Sequence, residues 1–302
     1  MALETTTRRD NDTDRADTDR AALRESQIRG LDALDLGSSA PPLAHAVWRS
    51  AWPKLAALAV ALGLWQLVAI SGLRPSYVLP GPAPVIVELG EQLMTAELWT
   101  AVGVTMTRGV LGFAIASVLG LVLGVLVARS RILRAAIGSL ITGLQTMPSI
   151  AWFPLAILLF QMSEQAILFV ILIGAVPSIA NGVISGVDYV PALLVRAGRN
   201  IGASGLSLYR YVVLPAALPS IVTGLKQGWA FAWRSLLAGE LLVQIALRPS
   251  LGQFLNQSRE LSDTPYMIAL MIVILVIGIA VDAVFGSVER GIRRRRGVVI
   301  SA

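Results

Sequence analysis

The stretch VRAGRNIGASGLSLYRYVVLPAALPS, residues 195–220, places three arginines, three glycines and two prolines between two long apolar runs. A plain connection between two helices needs only a handful of residues. Residues 191–201 suit a short helix, with Leu193, Leu194, Ala197 and Ile201 on one face and Arg196, Arg199 and Asn200 largely elsewhere. Pro191 is well placed near its start. The run GASG at 202–205 supplies a turn, and Gly202 tolerates a left-handed helix end. A second short helix follows, with Leu206, Tyr209, Val212 and Val213 on one side. It is predicted to stop before Pro215, because a proline disfavours helix at the residue preceding it. Pro219 then fits the first turn of the next apolar run. Such a helix–turn–helix suits docking to a partner, with apolar anchors and steering arginines. An amphipathic loop resting on lipid carries the same pattern.

Working outward, the chain of 302 residues is 55% hydrophobic and 15% charged, with mean hydropathy +0.69. A soluble domain usually carries about a quarter charged residues. A membrane span needs about 20 apolar residues. Six segments qualify: roughly 53–71, 101–128, 137–161, 165–187, 216–245 and 265–287. Pro148 and Pro154 interrupt the third, and Pro177 lies inside the fourth. Segment 72–100, with four prolines, reads as an ordered external loop ending in a short helix. The reading is therefore all-α and polytopic.

Residues 1–44 are polar and charged and read as a disordered cytoplasmic tail. The first span covers 45–71 with its approach, a core runs over 72–290, and 291–302 form a basic tail. Asp10, Asp12 and Asp14 have calcium-loop spacing, but Arg15 and Ala21 stand where that loop needs Gly and Glu. The tail is no signal peptide, since the first apolar run begins only near Leu55. With the N-terminus inside, only Arg74, Arg248 and Arg259 of the 25 lysines and arginines fall on outer segments. Arg108, Lys226 and Arg234 fall within spans, and the rest lie inside, as the positive-inside rule requires. Both termini and the opening stretch are thus expected in the cytoplasm.

Several functions are excluded by counting. Cys is absent and His45 is the single histidine, which removes thiolate chemistry, His-based metal sites and most catalytic triads. Lys54 and Lys226 are the only lysines, and neither follows a phosphate-cradling loop, so the chain does not bind ATP through a P-loop. The pI near 10.3 reflects span-flanking arginines rather than nucleic-acid binding. No metal site and no cofactor of its own is expected.

The opening stretch resembles the EAA loop of bacterial ABC-transporter permeases, whose form is E-A-A, three residues, Gly, nine residues, I-x-L-P. Gly202 matches the glycine, Val212 stands for the Ile, and Leu214 with Pro215 complete the motif. Ala197 matches the first Ala, while Arg196 replaces the Glu and Gly198 the second Ala. Other blocks follow in the family's order. YVLPGPAPVIVEL resembles its L-P-x-P loop, and TRGVLGFAIASVLGLVLGVLVARS and MPSIAWFPLAILLF resemble its second and third spans. PAALPSIVTGLKQGWAFAWRSLLAGELL with SLGQFL resembles its fifth span and external loop. The likeness covers about 75–290 and is greatest to the subgroup importing sulfonates, taurine and nitrate.

The resemblance implies a type I importer permease fold in the bacterial inner membrane. It implies a second permease copy, two cytoplasmic ATPase subunits holding ATP and Mg, and an external solute-binding protein. The loop at 191–215 becomes the coupling element, carried by Arg196, Ala197, Gly198, Gly202, Val212, Leu214 and Pro215. Candidate pathway residues are Pro148 and Trp152 at the interrupted span, with Lys226, Trp229, Trp233, Arg234 and Glu240 on the fifth. A cationic face of Lys226 and Arg234 suits an anion. A bland alternative has Lys226 snorkelling and Arg234 paired with Glu240 or near Arg108. The two tryptophans could equally be packing residues, and Arg108 reads as structural. The competing function is a solo secondary transporter or channel. That reading calls for inverted repeats and more intramembrane acids, which the sequence does not show.

Overall fold

A computed structural model of the chain describes residues 43–245 and 248–295, which are helical with short connections and contain no strand. The expected tail lies outside the described residues up to residue 42, as does the end of the basic tail from 296. The chain divides into two units, Met1–Leu64 and Trp65–Ala302. In the first, the described residues belong to helix α1 (Leu43–Ile70), which Pro53 does not end and which crosses the unit boundary. Residues 51–70 of it are long and apolar enough to cross a membrane.

The second unit continues with α2 (Pro82–Leu93), which starts on a proline, the residue best suited to a first helical turn. α3 (Ala96–Arg129) begins where the Thr95 hydroxyl accepts from the Leu98 N–H at 3.4 Å. Ser130 ends α3 and caps α4 (Arg131–Thr146), accepting from Leu133 at 3.2 Å.

The third span is the bent one. α4 and the segment Ser149–Phe160 meet at 105°, so the pair is either one broken span or a re-entrant loop. Met147, before Pro148, is extended, the conformation favoured for a residue preceding proline. A single 3-10 turn, Ser149–Trp152, then leads into α5 (Phe153–Phe160). The expectation that both prolines interrupt the span is half right, because Pro154 sits in the first turn of α5 and costs it no hydrogen bond.

α6 (Glu164–Asp188) is the central rod of this unit. α3 packs on one side of it and α8 (Gly205–Leu242) on another. Small residues spaced by four make this possible: Gly112, Ala116, Gly120 and Gly124 on α3, and Gly174, Ser178, Gly182 and Gly186 on α6. A Cβ on Gly182 would lie 2.5 Å from the Cα of Gly224, so the backbones of α6 and α8 touch there. In a bilayer, where burying apolar surface between helices gains little over lipid, such close backbone packing supplies the association. Between Asp188 and α8 runs α7 (Ala192–Asn200). After α8 come α9 (Leu251–Glu260) and α10 (Thr264–Arg295). α10 closes over an aromatic cluster in which Phe113 meets Trp229 and Phe285 edge-on at 5.3 and 5.8 Å.

One expectation fails here. The helix after the turn does not stop before Pro215 but runs unbroken from Gly205 to Leu242. A π turn, Tyr209–Val213, precedes the proline. Its wider winding takes up the place where Pro215 has no N–H to donate and where its ring would crowd the carbonyl four residues back.

Candidate functional site

The connection between α6 and α8 is a built object. Pro191 stands at the N-cap of α7. α7 ends in a Schellman motif: the Ala203 N–H donates to the Gly198 carbonyl and the Gly202 N–H to that of Arg199, both at 3.0 Å. Gly202 has φ +89°, which an L-side chain rarely adopts. Ser204 and Ser207 then form a capping box at the start of α8, with the Ser204 N–H donating to the Ser207 hydroxyl at 3.0 Å.

Gly198 is buried under this turn, and a Cβ there would lie 2.9 Å from both Leu208 Cδ1 and Val212 Cγ2. That close fit explains why glycine replaces the alanine of the resembled motif. Val212 therefore works inward, pinning α7 to α8. Leu193, Leu194, Ile201 and Leu206 face outward, 76%, 45%, 85% and 69% exposed. Arg196 and Arg199 are exposed beside them. Leu214 is half-buried and Pro215 exposed. At the same end, the Arg129 guanidinium lies 5.8 Å from the centre of the Tyr209 ring, and Arg134 pairs with Asp188 at 2.9 Å.

The opposite end of α8 holds an ion-pair knot that the sequence reading placed only in part. Glu240, with 0% exposure, accepts from Arg108 Nη1 at 3.0 Å, Thr105 Oγ1 at 2.9 Å and the Gly252 N–H at 3.2 Å. Arg108 also forks onto Glu164, Nε at 2.8 Å and Nη2 at 2.7 Å. Arg248 reaches the same carboxylate at 3.3 Å. Thr105 accepts in turn from the Leu251 N–H at 3.0 Å. One cluster, buried at Thr105 and Glu240, nearly so at Arg108, and open to solvent at Glu164 and Arg248, thus ties α3, α6, α8 and α9 together. Glu240 is enclosed in it rather than open to a lumen.

Arg234 does not join that knot, contrary to the bland expectation. Six residues separate it from Glu240, which sets the two side chains about 120° apart around the helix. Arg234 is exposed and lies 5.4 Å from the Phe231 ring centre. Lys226 does not simply snorkel but pairs with Asp282 of α10 at 3.1 Å. Trp229 and Trp233 are buried in the aromatic cluster, stacked 6.0 Å apart. At the bend, Pro148 is exposed, whereas Trp152 is half-buried with its indole N–H enclosed and unbonded among the described residues. No group of His, Cys, Asp or Glu able to hold a metal occurs among the described residues.

Residues 116–294 match the family described as binding-protein-dependent transport system inner membrane component. A putative ABC transporter permease protein of Methanocaldococcus jannaschii is 34% identical over 233 residues, covering 76% of this chain and 86% of the relative. The taurine transport system permease protein of Escherichia coli is 29% identical over 264 residues, 83% of this chain and 94% of the relative. The bicarbonate transport system permease protein of Synechococcus elongatus is 30% identical over 243 residues, 76% and 85% of the two chains. Among solved structures, a chain of the MetNI methionine ABC transporter in an inward-facing conformation aligns with TM-score 0.53 and 21% identity, covering 70% of this chain and 98% of that one. That likeness shows the shared fold.

Proposed function

The chain belongs to the family of binding-protein-dependent transport system inner membrane components, and from that premise we propose that its α7–α8 loop docks on a separate ATPase and drives alternating access for a small anion. It is a multi-pass inner membrane permease of an ABC importer. Two copies complete the pathway in this reading, with two ATPases holding ATP and Mg, and a solute-binding protein outside. Both termini and the loop then lie in the cytoplasm.

The observation that carries the docking reading is the loop itself. Its turn is fixed by a Schellman motif, a capping box and a buried glycine, yet its large apolar side chains point outward. A rigid element with exposed apolar anchors and flanking arginines has the make-up of an interface core. The same element opens α8, whose 38 residues span about 57 Å at 1.5 Å per residue. Displacement of the loop is therefore carried through the membrane to Glu240. There the knot hands it to α3, α6 and α9. The transition is a two-state switch biased by nucleotide and by the loaded binding protein.

The relatives named for taurine, aliphatic sulfonate and bicarbonate transport support an anionic solute, since each of these molecules bears an oxyanion group. The test is co-expression of the permease with its ATPase and binding protein. We expect copurification of permease with ATPase, and ATP-dependent uptake of labelled taurine, ethanesulfonate or bicarbonate into proteoliposomes. Uptake that persists without the ATPase overturns the reading in favour of a solo transporter.

A further inference from the structure

We propose that Arg234 is the charge contact for a small organic anion at membrane depth, on the wall of a groove between α8, α9 and α10; this rests on the importer reading above. The groove has a volume of about 1060 Å³ and is walled mainly by aliphatic side chains such as Ala238, Leu255, Met271 and Leu275. Arg234 and Asp282 are the charged groups on its wall. Asp282 is paired with Lys226, which leaves the wall one positive charge in excess.

Arg234 lies eight residues before the end of α8, about 12 Å along the helix axis and within an apolar span. An arginine held against lipid at that depth is costly, so this face turns to water or protein. A carboxylate partner is lacking among the described residues. Inside the spans, Glu240 and Glu164 are held by Arg108 and Asp282 by Lys226, and Glu289, further along α10, is also engaged. With no carboxylate of the described residues on it, the Arg234 guanidinium is open to an anion from outside the protein. Its planar fork of donors matches a sulfonate or carboxylate, and the aliphatic walls suit a short alkyl tail while strengthening the field around the charge.

The chain contains no cysteine, so Ala238→Cys, one turn along α8 from Arg234, installs a single thiol in the permease. The assembled transporter, in nucleotide-free and vanadate-trapped states, is treated with two membrane-impermeant methanethiosulfonates, one bearing a sulfonatoethyl group and one a trimethylammonioethyl group. Modification is followed by the intact mass of the permease. Both reagents are expected to react in at least one state. Adding Arg234→Gln is expected to lower the ratio of anionic to cationic rate about tenfold, with Arg234→Lys keeping most of it. A ratio indifferent to Arg234, or a thiol unreactive in both states, overturns the proposal. Labelling needs neither solute nor transport. If the expected ratio is found while uptake fails to depend on ATP, it is the importer reading that falls.

Discussion

Arg108 grips Glu164 with two nitrogens, Nε at 2.8 Å and Nη2 at 2.7 Å, and spends its remaining arm on Glu240 at 3.0 Å. One guanidinium thus bridges carboxylates from two helices. Removing it strands Glu240, which has no contact with solvent. Arg108→Ala should lose about 3–5 kcal/mol of stability. Arg108→Lys should recover only part, because an ammonium cannot fork. Thermal unfolding in detergent measures both; an Arg108→Ala midpoint within about a degree of wild type would show that the knot holds nothing.

Gly182 and Gly224 bring two backbones into contact, so Gly182→Ala must push α6 and α8 apart. A loss of about 1–3 kcal/mol is expected. Gly143 of α4 has nothing within 4 Å of an added Cβ, and Gly143→Ala should be neutral or stabilising by up to ~1 kcal/mol. Equal effects of the two changes in the same melt would argue against the close packing.

The outward face of the loop separates docking from folding. Leu193→Glu with Ile201→Glu alters two highly exposed positions and should change stability by no more than ~0.5 kcal/mol each. Copurification with the ATPase should nevertheless be lost. Retention of the ATPase at wild-type yield would count against this face as the docking surface.

Gly202→Ala places a side chain at φ +89° and should strain the turn by about 1–2 kcal/mol. Pro215→Ala restores an N–H and lets the π turn wind down to an α turn. Both variants should insert and hydrolyse ATP while uptake falls. Wild-type uptake in both would remove the coupling role of the loop.

Lys226 and Asp282 join α8 to α10 across the bundle. Both are partly exposed, so the pair should be worth only on the order of 1 kcal/mol. Asp282→Asn or Lys226→Gln alone should lower the yield of folded permease. The exchange of Lys226→Asp with Asp282→Lys should restore it. A swap no better than the single changes would mean that position, not charge pairing, matters.

What the sequence disclosed, and what it hid, follows from the range of the forces involved. The turn at Gly202 was legible because glycine spacing and helix capping act within a few residues. The spans were legible because lipid selects for length and apolarity. The fate of Pro215 was not, since a proline only disfavours helix, and a π turn upstream pays that penalty in a way no local pattern announces. Glu164 and Asp282 escaped notice because their partners lie on other helices. A signal did exist for Asp282: a lone carboxylate in IGIAVDAVFG, residues 277–286, requires a counter-charge at similar depth, and Lys226 stands in another span. The four-residue spacing of Gly112, Ala116, Gly120 and Gly124 likewise announces a close helix contact.

The meeting point of Gly182 and Gly224 has a geometric corollary. From Gly224 it is about 28 Å along α8 to Gly205 and about 24 Å to Glu240, at 1.5 Å per residue. Neither residue carries a side chain, so the contact is backbone on backbone and can serve as a fulcrum with nearly equal arms, flanked by Ile179 against Gly228 and by Ala217 and Ser220 against Gly186. A swing of a few ångströms at one tip is then returned at the other with similar amplitude and opposite sense, neither magnified nor damped.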